Sequence, residues 1–129
     1  MIQIGVIGYG YWGPHIVRNF HGLDGCKVAM VCDRSLDSIK RVQQAYPGIQ
    51  TTTDPCDVLT STTIDAIAIV TPVWTHYDLA KAALEHGKHV FVEKPFTSTA
   101  AQAEELIDLA DSKELQIMVD YTFLFTGAV

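Results

Sequence analysis

Basic residues, cysteine and long apolar runs are all scarce in this sequence, and each shortage closes a class of function. Lysine and arginine number 9 against 15 acidic residues, a formal net charge of −6. No basic stripe is present to neutralise a phosphate backbone, so nucleic acid is not an expected partner. The three cysteines, Cys26, Cys32 and Cys56, follow no metal-ligand spacing. Cys26 and Cys32, in or beside one buried strand, read as core thiols in a reducing, cytoplasmic setting, and no metal site is expected. No apolar run approaches the ~18 residues that a membrane span needs, so no membrane partner is expected. An apolar strand begins at Ile2, and no signal peptide is expected ahead of it.

What remains is ordinary for a folded domain. The chain has 129 residues, 48% of them hydrophobic and 19% charged, which suits one domain with a real core. Apolar strands are expected over 2–7, 27–32, 64–70, 88–92 and 116–119, with a short one at 49–51. Helices are expected between them. Pro14 to Phe20 ends near Gly22, and Leu36 to Tyr46 follows Ser35 as its cap. Asp54 caps a brief helix to Leu59, and Thr75 to His86 stops at Gly87. Ser98 or Thr99 caps a last helix to about Lys113, with Ala103, Leu106, Ile107 and Ala110 on one face. The strands show little polar alternation, which predicts burial on both faces. The predicted fold is therefore a doubly wound, Rossmann-type α/β domain with a parallel sheet in the order 3-2-1-4-5-6.

Gly8-Tyr9-Gly10-Tyr11-Trp12-Gly13 follows the first strand and opens the first helix. Such a glycine pattern alone is met by chance, but its strand-turn-helix context gives it a mechanism. The first glycine makes the tight turn, the second admits a pyrophosphate to the backbone, and the third lets helix and strand pack closely. The helix end then offers free N–H groups and a partial positive charge to phosphate, with Tyr11 and Trp12 on the same turn. Asp33 lies 20 residues beyond Gly13 at the end of the second strand, where a carboxylate accepts from an adenine ribose. It would repel a 2′-phosphate, which favours NAD over NADP. Arg34 is read as stacking on adenine, although it could instead pair with that phosphate.

If the strand order is as predicted, strands four and five end in the same crevice. Thr71, Pro72, His76, Glu93, Lys94 and Pro95 would then lie near the nicotinamide. A lysine there can stabilise developing negative charge or exchange a proton with a substrate hydroxyl. Glu93 can orient it or reach the nicotinamide ribose.

Val70-Thr71-Pro72-Val73-Trp74-Thr75-His76 and the run from Ala82 through Glu93-Lys94-Pro95 resemble the signature of the Gfo/Idh/MocA oxidoreductases. The resemblance extends from the glycine turn to Tyr121-Thr122-Phe123-Leu124-Phe125. It implies that Lys94 lies beside nicotinamide and substrate and assists catalysis, and that Thr71, Pro72 and His76 line the cofactor cleft. It also implies hydride transfer with a secondary alcohol of a sugar, cyclitol or nucleotide sugar. Members with a similar sixth strand often carry Gly-His before Thr-Phe, where this chain has Asp120-Tyr121. The resemblance further implies a C-terminal domain that supplies most substrate contacts and the homo-oligomer interface. On that ground residues 1–129 are expected to be the dinucleotide-binding domain of a longer protein, inactive by itself. A nucleotide-sensing module without chemistry and a methyltransferase are the alternatives. The latter also places an acid after its second strand, but the Glu-Lys-Pro segment and the full glycine turn disfavour it.

Overall fold

Six short segments, five of them mostly apolar and the third Gln-Thr-Thr, pair into one sheet in the computed structural model, which describes residues 1–120. Strands β1 (Ile2–Ile7), β2 (Cys26–Cys32), β3 (Gln50–Thr52), β4 (Ala66–Ile69), β5 (His89–Glu93) and β6 (Ile117–Asp120) are all parallel. Their order is β3-β2-β1-β4-β5-β6, as the alternation of strand and helix predicts. Tyr121 to Phe125, which complete the family resemblance, lie outside the described residues.

The connecting helices are α1 (Gly13–His21), α2 (Leu36–Ala45), α3 (Pro55–Leu59), α4 (His76–Glu85) and α5 (Ala100–Ser112). Their ends follow local chemistry. Ser35, Asp54 and Thr99 each accept a backbone N–H of the first turn through a side-chain oxygen, satisfying a donor that the helix itself cannot. Gly87 follows α4 with φ +76, the left-handed turn expected there. One departure lies at the start of α4: Val73–Thr75 forms a separate 3-10 turn, and the α-helix begins only at His76. Pro72 holds an extended backbone just before it, so the chain must tighten before it can enter the helix.

Two cores result, one on each face of the sheet. Ile4, Val6, Val28 and Val31 pack with Ile16, Val17 and Val42 of α1 and α2. Ile67, Ile69, Val90 and Val92 pack on the opposite face with Ala80, Leu84, Leu106 and Ala110 of α4 and α5. Burial on both faces holds for β1 but not for β5 and β6. There side chains alternate, Phe91 is half-buried and Met118 is 55% exposed, because α4 and α5 cover only one side. The predicted face of α5 also needs correction at one position. Leu106 and Ala110 are buried, whereas Ile107 is 47% exposed and Leu109 takes its place against the core.

This difference can be measured. Ile67→Ala should destabilise the domain by about 2–5 kcal/mol through lost burial and a residual cavity. Ile107→Ala should fall within about 0.5 kcal/mol of the parent, as an exposed site does. Urea unfolding of the two variants checks both outcomes.

Candidate cofactor site

Strand β1 sits between β2 and β4, and the chain leaves β1 toward one edge of the sheet and β4 toward the other. The loops that follow these two strands therefore part company and leave a crevice above their C-terminal ends. Its volume is about 570 Å³, and Gly8, Gly10, Asp33, Arg34, Thr71 and Pro72 are in its lining. That size suits an organic ligand. The crevice thus gathers residues from three of the segments singled out in the sequence.

The glycines of the first turn answer to different constraints. Gly8 has φ +106, and a side chain there would run into the Val70 carbonyl at the end of β4. Gly13 lies so close to the Gly8 carbonyl that an added Cβ would stand 2.6 Å from its oxygen. Gly10 has open space around it, with nothing within 4 Å of where a Cβ would be. Gly8 and Gly13 hold the turn against the sheet, and Gly10 leaves room for a ligand to reach the backbone. Helix α1 begins directly behind, with no side-chain cap on its N-terminal donors and no acidic residue in its first turn. Its positive end faces no competing protein anion from that turn. Tyr11 and Trp12 lie edge to face at the tip of the turn, both exposed.

Asp33 stands across from the turn. One carboxylate oxygen accepts the Tyr9 backbone N–H at 2.6 Å, and the other accepts the Ser35 N–H at 2.8 Å. Each oxygen keeps a further lone pair, so the group is oriented yet still able to accept from a diol. Uncapped helix donors, open space at Gly10 and an oriented carboxylate together fit a dinucleotide. Among the described residues, no group of three or more His, Cys, Asp or Glu could hold a metal ion. Nor is any helix among them long and apolar enough to cross a membrane.

The far end of the crevice is built from the loop after β4. Glu93, Lys94 and Pro95, expected beside it, are not among its described lining residues, because the loop after β5 lies one strand further out. Thr71 and Thr75 hydroxyls lie 2.5 Å apart, and Thr75 donates to the Pro72 carbonyl at 2.6 Å. His76 does not open into the crevice: it is 1% exposed. Its Nε2 is 2.7 Å from the Thr71 carbonyl oxygen and its Nδ1 is 2.9 Å from that of Pro95. The imidazole thus joins the loop after β4 to the loop after β5, where the Lys94–Pro95 peptide is cis.

Glu93 ends β5 in register with Asp120 on β6. Its Oε2 is enclosed and has no hydrogen-bond partner among the described residues. Burial, then the neighbouring Asp120, push the Glu93 carboxyl up to about 7, against the opposing pull of the Lys94 backbone N–H and charge. In the crevice lining, burial pushes the Cys32 thiol up to about 12, which makes it a poor nucleophile.

Trp74, Asp78, Leu79 and Pro55 also line the crevice, and none was singled out in the sequence. Asp78 and Leu79, in the first turn of α4, lie four positions beyond Trp74 and Thr75, so helical spacing from that segment could have found them. Pro55 reaches the crevice only because the crossover from β3 to β4 passes beside β2, which no local pattern reveals.

Residues 2–121 match the family model described as the oxidoreductase family GFO_IDH_MocA, NAD-binding Rossmann fold. The chain belongs to this family. It is 43% identical over 116 residues to an oxidoreductase of Escherichia coli named YdgJ, covering 86% of this chain and 32% of that protein. It is 34% identical over 107 residues to an inositol 2-dehydrogenase of Rhodococcus jostii, covering 82% and 29% respectively. Among solved structures, the 3-ketoreductase KijD10 of Actinomadura kijaniata, in complex with TDP-benzene and NADP, superposes with a TM-score of 0.87. It shares 28% identity, with 97% of this chain and 40% of that one covered. The chain spans about a third of the length of the curated relatives it matches. It is an NAD(P)-binding oxidoreductase domain.

Two outcomes follow from this geometry. Gly10→Ala should leave stability nearly unchanged but weaken NADH binding at least about tenfold, whereas Gly13→Ala should lower stability by about 1–3 kcal/mol. Fluorescence titration and urea unfolding separate the two.

The raised Glu93 carboxyl also predicts a pH dependence. The folded state binds its proton more tightly than the unfolded chain does. The stabilisation is therefore complete below the ordinary value of 4.5 and is lost as pH rises through about 7. The parent should lose stability relative to Glu93→Gln between about pH 5 and about pH 8. Urea midpoints at the two pH values give the comparison, and parallel pH dependence in both proteins would refute it.

Proposed function

We propose that this domain holds NAD in a dehydrogenase that passes a hydride between the nicotinamide and a secondary alcohol of a sugar, cyclitol or nucleotide sugar. The observation that carries the proposal is the crevice with an oriented Asp33 at one end and Thr71-Pro72 at the other, where His76 ties the Thr71 carbonyl to that of Pro95, next to Lys94. Support for the substrate class comes from the relatives, one an inositol 2-dehydrogenase and another a 3-ketoreductase. Most substrate contacts are assigned to the length of the relatives that this chain does not span.

Bound NAD supplies the hydride acceptor. Gly8, Gly10 and Gly13 admit the pyrophosphate to the α1 N-terminus, with Tyr11 and Trp12 beside it. Asp33 accepts from the adenine ribose and Arg34 stacks on the base, which favours NAD over NADP because the carboxylate repels a 2′-phosphate. Thr71 and Pro72 form the wall toward the nicotinamide. Lys94 takes up the hydroxyl proton of the alcohol as its carbon–hydrogen bond breaks. His76, buried between the Thr71 and Pro95 carbonyls, positions Lys94 rather than touching the reacting atoms. Glu93 orients Lys94 from the strand end.

Titration with NADH, NADPH and S-adenosylmethionine, followed by Trp12 and Trp74 fluorescence, tests the binding half. NADH should bind, NADPH should bind at least about tenfold more weakly, and S-adenosylmethionine should not bind. Tight S-adenosylmethionine binding without NADH would overturn the proposal. Where NAD reduction by a cyclitol or sugar is measured, Lys94→Met should lower it by about 100-fold or more and change NADH affinity less than about threefold. Unchanged turnover would remove Lys94 from the chemistry and favour a nucleotide-sensing role.

A further inference from the structure

Arg41 lies on the second turn of α2, outside every motif that marks the cofactor site, yet its guanidinium reaches the glycine turn. One terminal nitrogen, Nη2, donates to the Tyr9 carbonyl at 3.3 Å and to the Ser38 hydroxyl at 3.0 Å. The guanidinium carbon also stands 5.7 Å from the centroid of the Tyr9 ring, which is buried. Tyr9 is the residue whose amide N–H is bound to Asp33 at 2.6 Å. Its carbonyl and ring are therefore both held by Arg41, and its amide by Asp33.

We propose that Arg41 is a positioning residue for dinucleotide choice, fixing Tyr9 so that the Asp33 carboxylate is locked toward the ribose diol. The proposal deepens the reading of Asp33 given above and rests on it. Without Arg41, the Tyr9–Gly10 peptide loses its anchor, and the wide φ/ψ freedom of the flanking Gly8 and Gly10 lets Tyr9 and its N–H shift. Its N–H then no longer pins the second carboxylate oxygen. Asp33 keeps only the Ser35 N–H, and a carboxylate held at one oxygen can swing about its side-chain bonds.

The consequence differs between the two cofactors. NADH presents a free diol, which needs acceptor lone pairs in fixed places, so a loosened carboxylate binds it less well. NADPH presents a phosphate at one of those positions, and a carboxylate free to turn away repels it less. Ser38 belongs to the same device. Its hydroxyl takes the other hydrogen bond of Nη2, and its backbone N–H is fixed by the Ser35 side chain at the start of α2. The stretch from Asp33 to Arg41 is thereby tied to the glycine turn at both ends.

The decisive measurement is the ratio of NADH to NADPH affinity in the parent, Arg41→Met, Asp33→Asn and the double variant. Arg41→Met should weaken NADH about tenfold and change NADPH less than about threefold. In the Asp33→Asn background the same substitution should weaken NADH less than about threefold, since the residue it acts through is already gone. Ser38→Ala, which leaves Arg41 and its charge in place, should shift the ratio in the same direction by about two- to threefold.

A loss confined to NADPH would overturn the proposal and make Arg41 a direct partner of the 2′-phosphate. Equal losses for both cofactors that add to those of Asp33→Asn would reduce it to a general brace of the turn, and that also overturns it. If Arg41→Met unfolds, the Ser38→Ala ratio decides alone, and an unchanged ratio there sinks the proposal. A parent that binds NADH, with a ratio changed by Asp33→Asn but not by Arg41→Met or Ser38→Ala, refutes the role of Arg41 only. A parent that binds neither dinucleotide refutes the reading of the site and this role with it.

Discussion

The approach of Gly8 to the Val70 carbonyl is the contact on which the rest of the site depends. It brings the end of β1 against the end of β4, so the loops above them diverge from a common point. A Cβ at residue 8 would push β4 away, and with it Thr71, Pro72 and the turn that starts α4. Gly13 repeats the constraint one step further on, bringing the start of α1 against the Gly8 carbonyl. Backbone packed on backbone at both places leaves the donors of α1 aimed over the strand ends. The crevice is in this sense made by absent side chains, and its anion-attracting character comes from peptide groups more than from charged residues.

Much of this was legible in the sequence because it depends on local rules. Glycine spacing, strand ends and helix caps are read from neighbouring residues, and Ser35, Asp54 and Thr99 cap where the sequence says they should. The strand order follows from alternation of elements together with the handedness of parallel crossovers. What was not legible depends on which surfaces the helices cover. Ile107 shares a helical period with Leu106 and Ala110, but periodicity gives a face and not its width. Phe91 and Met118 read as interior because they are apolar, and only the placement of α4 and α5 on one side shows otherwise.

The site shows the same division. Asp33 was found because its spacing from the glycine turn is set by one helix and one strand. His76 was read as lining the crevice, whereas it is enclosed between two carbonyls. A histidine one turn past a Thr-Pro pair faces the crevice or the β5 loop according to how the 3-10 turn rotates α4, and that rotation is invisible in the letters. Arg41 is further still from recognition, since its contact with Tyr9 spans 32 residues and joins two elements of different type.

Glu93 carries the argument furthest from sequence toward chemistry. A strand-end glutamate before a lysine reads as an ion pair, and an ion pair would hold its carboxyl low. Enclosure of one oxygen and the register with Asp120 act the other way, and they prevail over the neighbouring lysine. The reason is one of magnitude: burial removes water from the charged form, and the second carboxylate adds repulsion at close range. Near neutral pH, Lys94 therefore adjoins a carboxyl group that is partly protonated. The electrostatic surroundings of the proposed catalytic amine are set first by burial and then across the β5–β6 register, by a residue that its own loop does not contain.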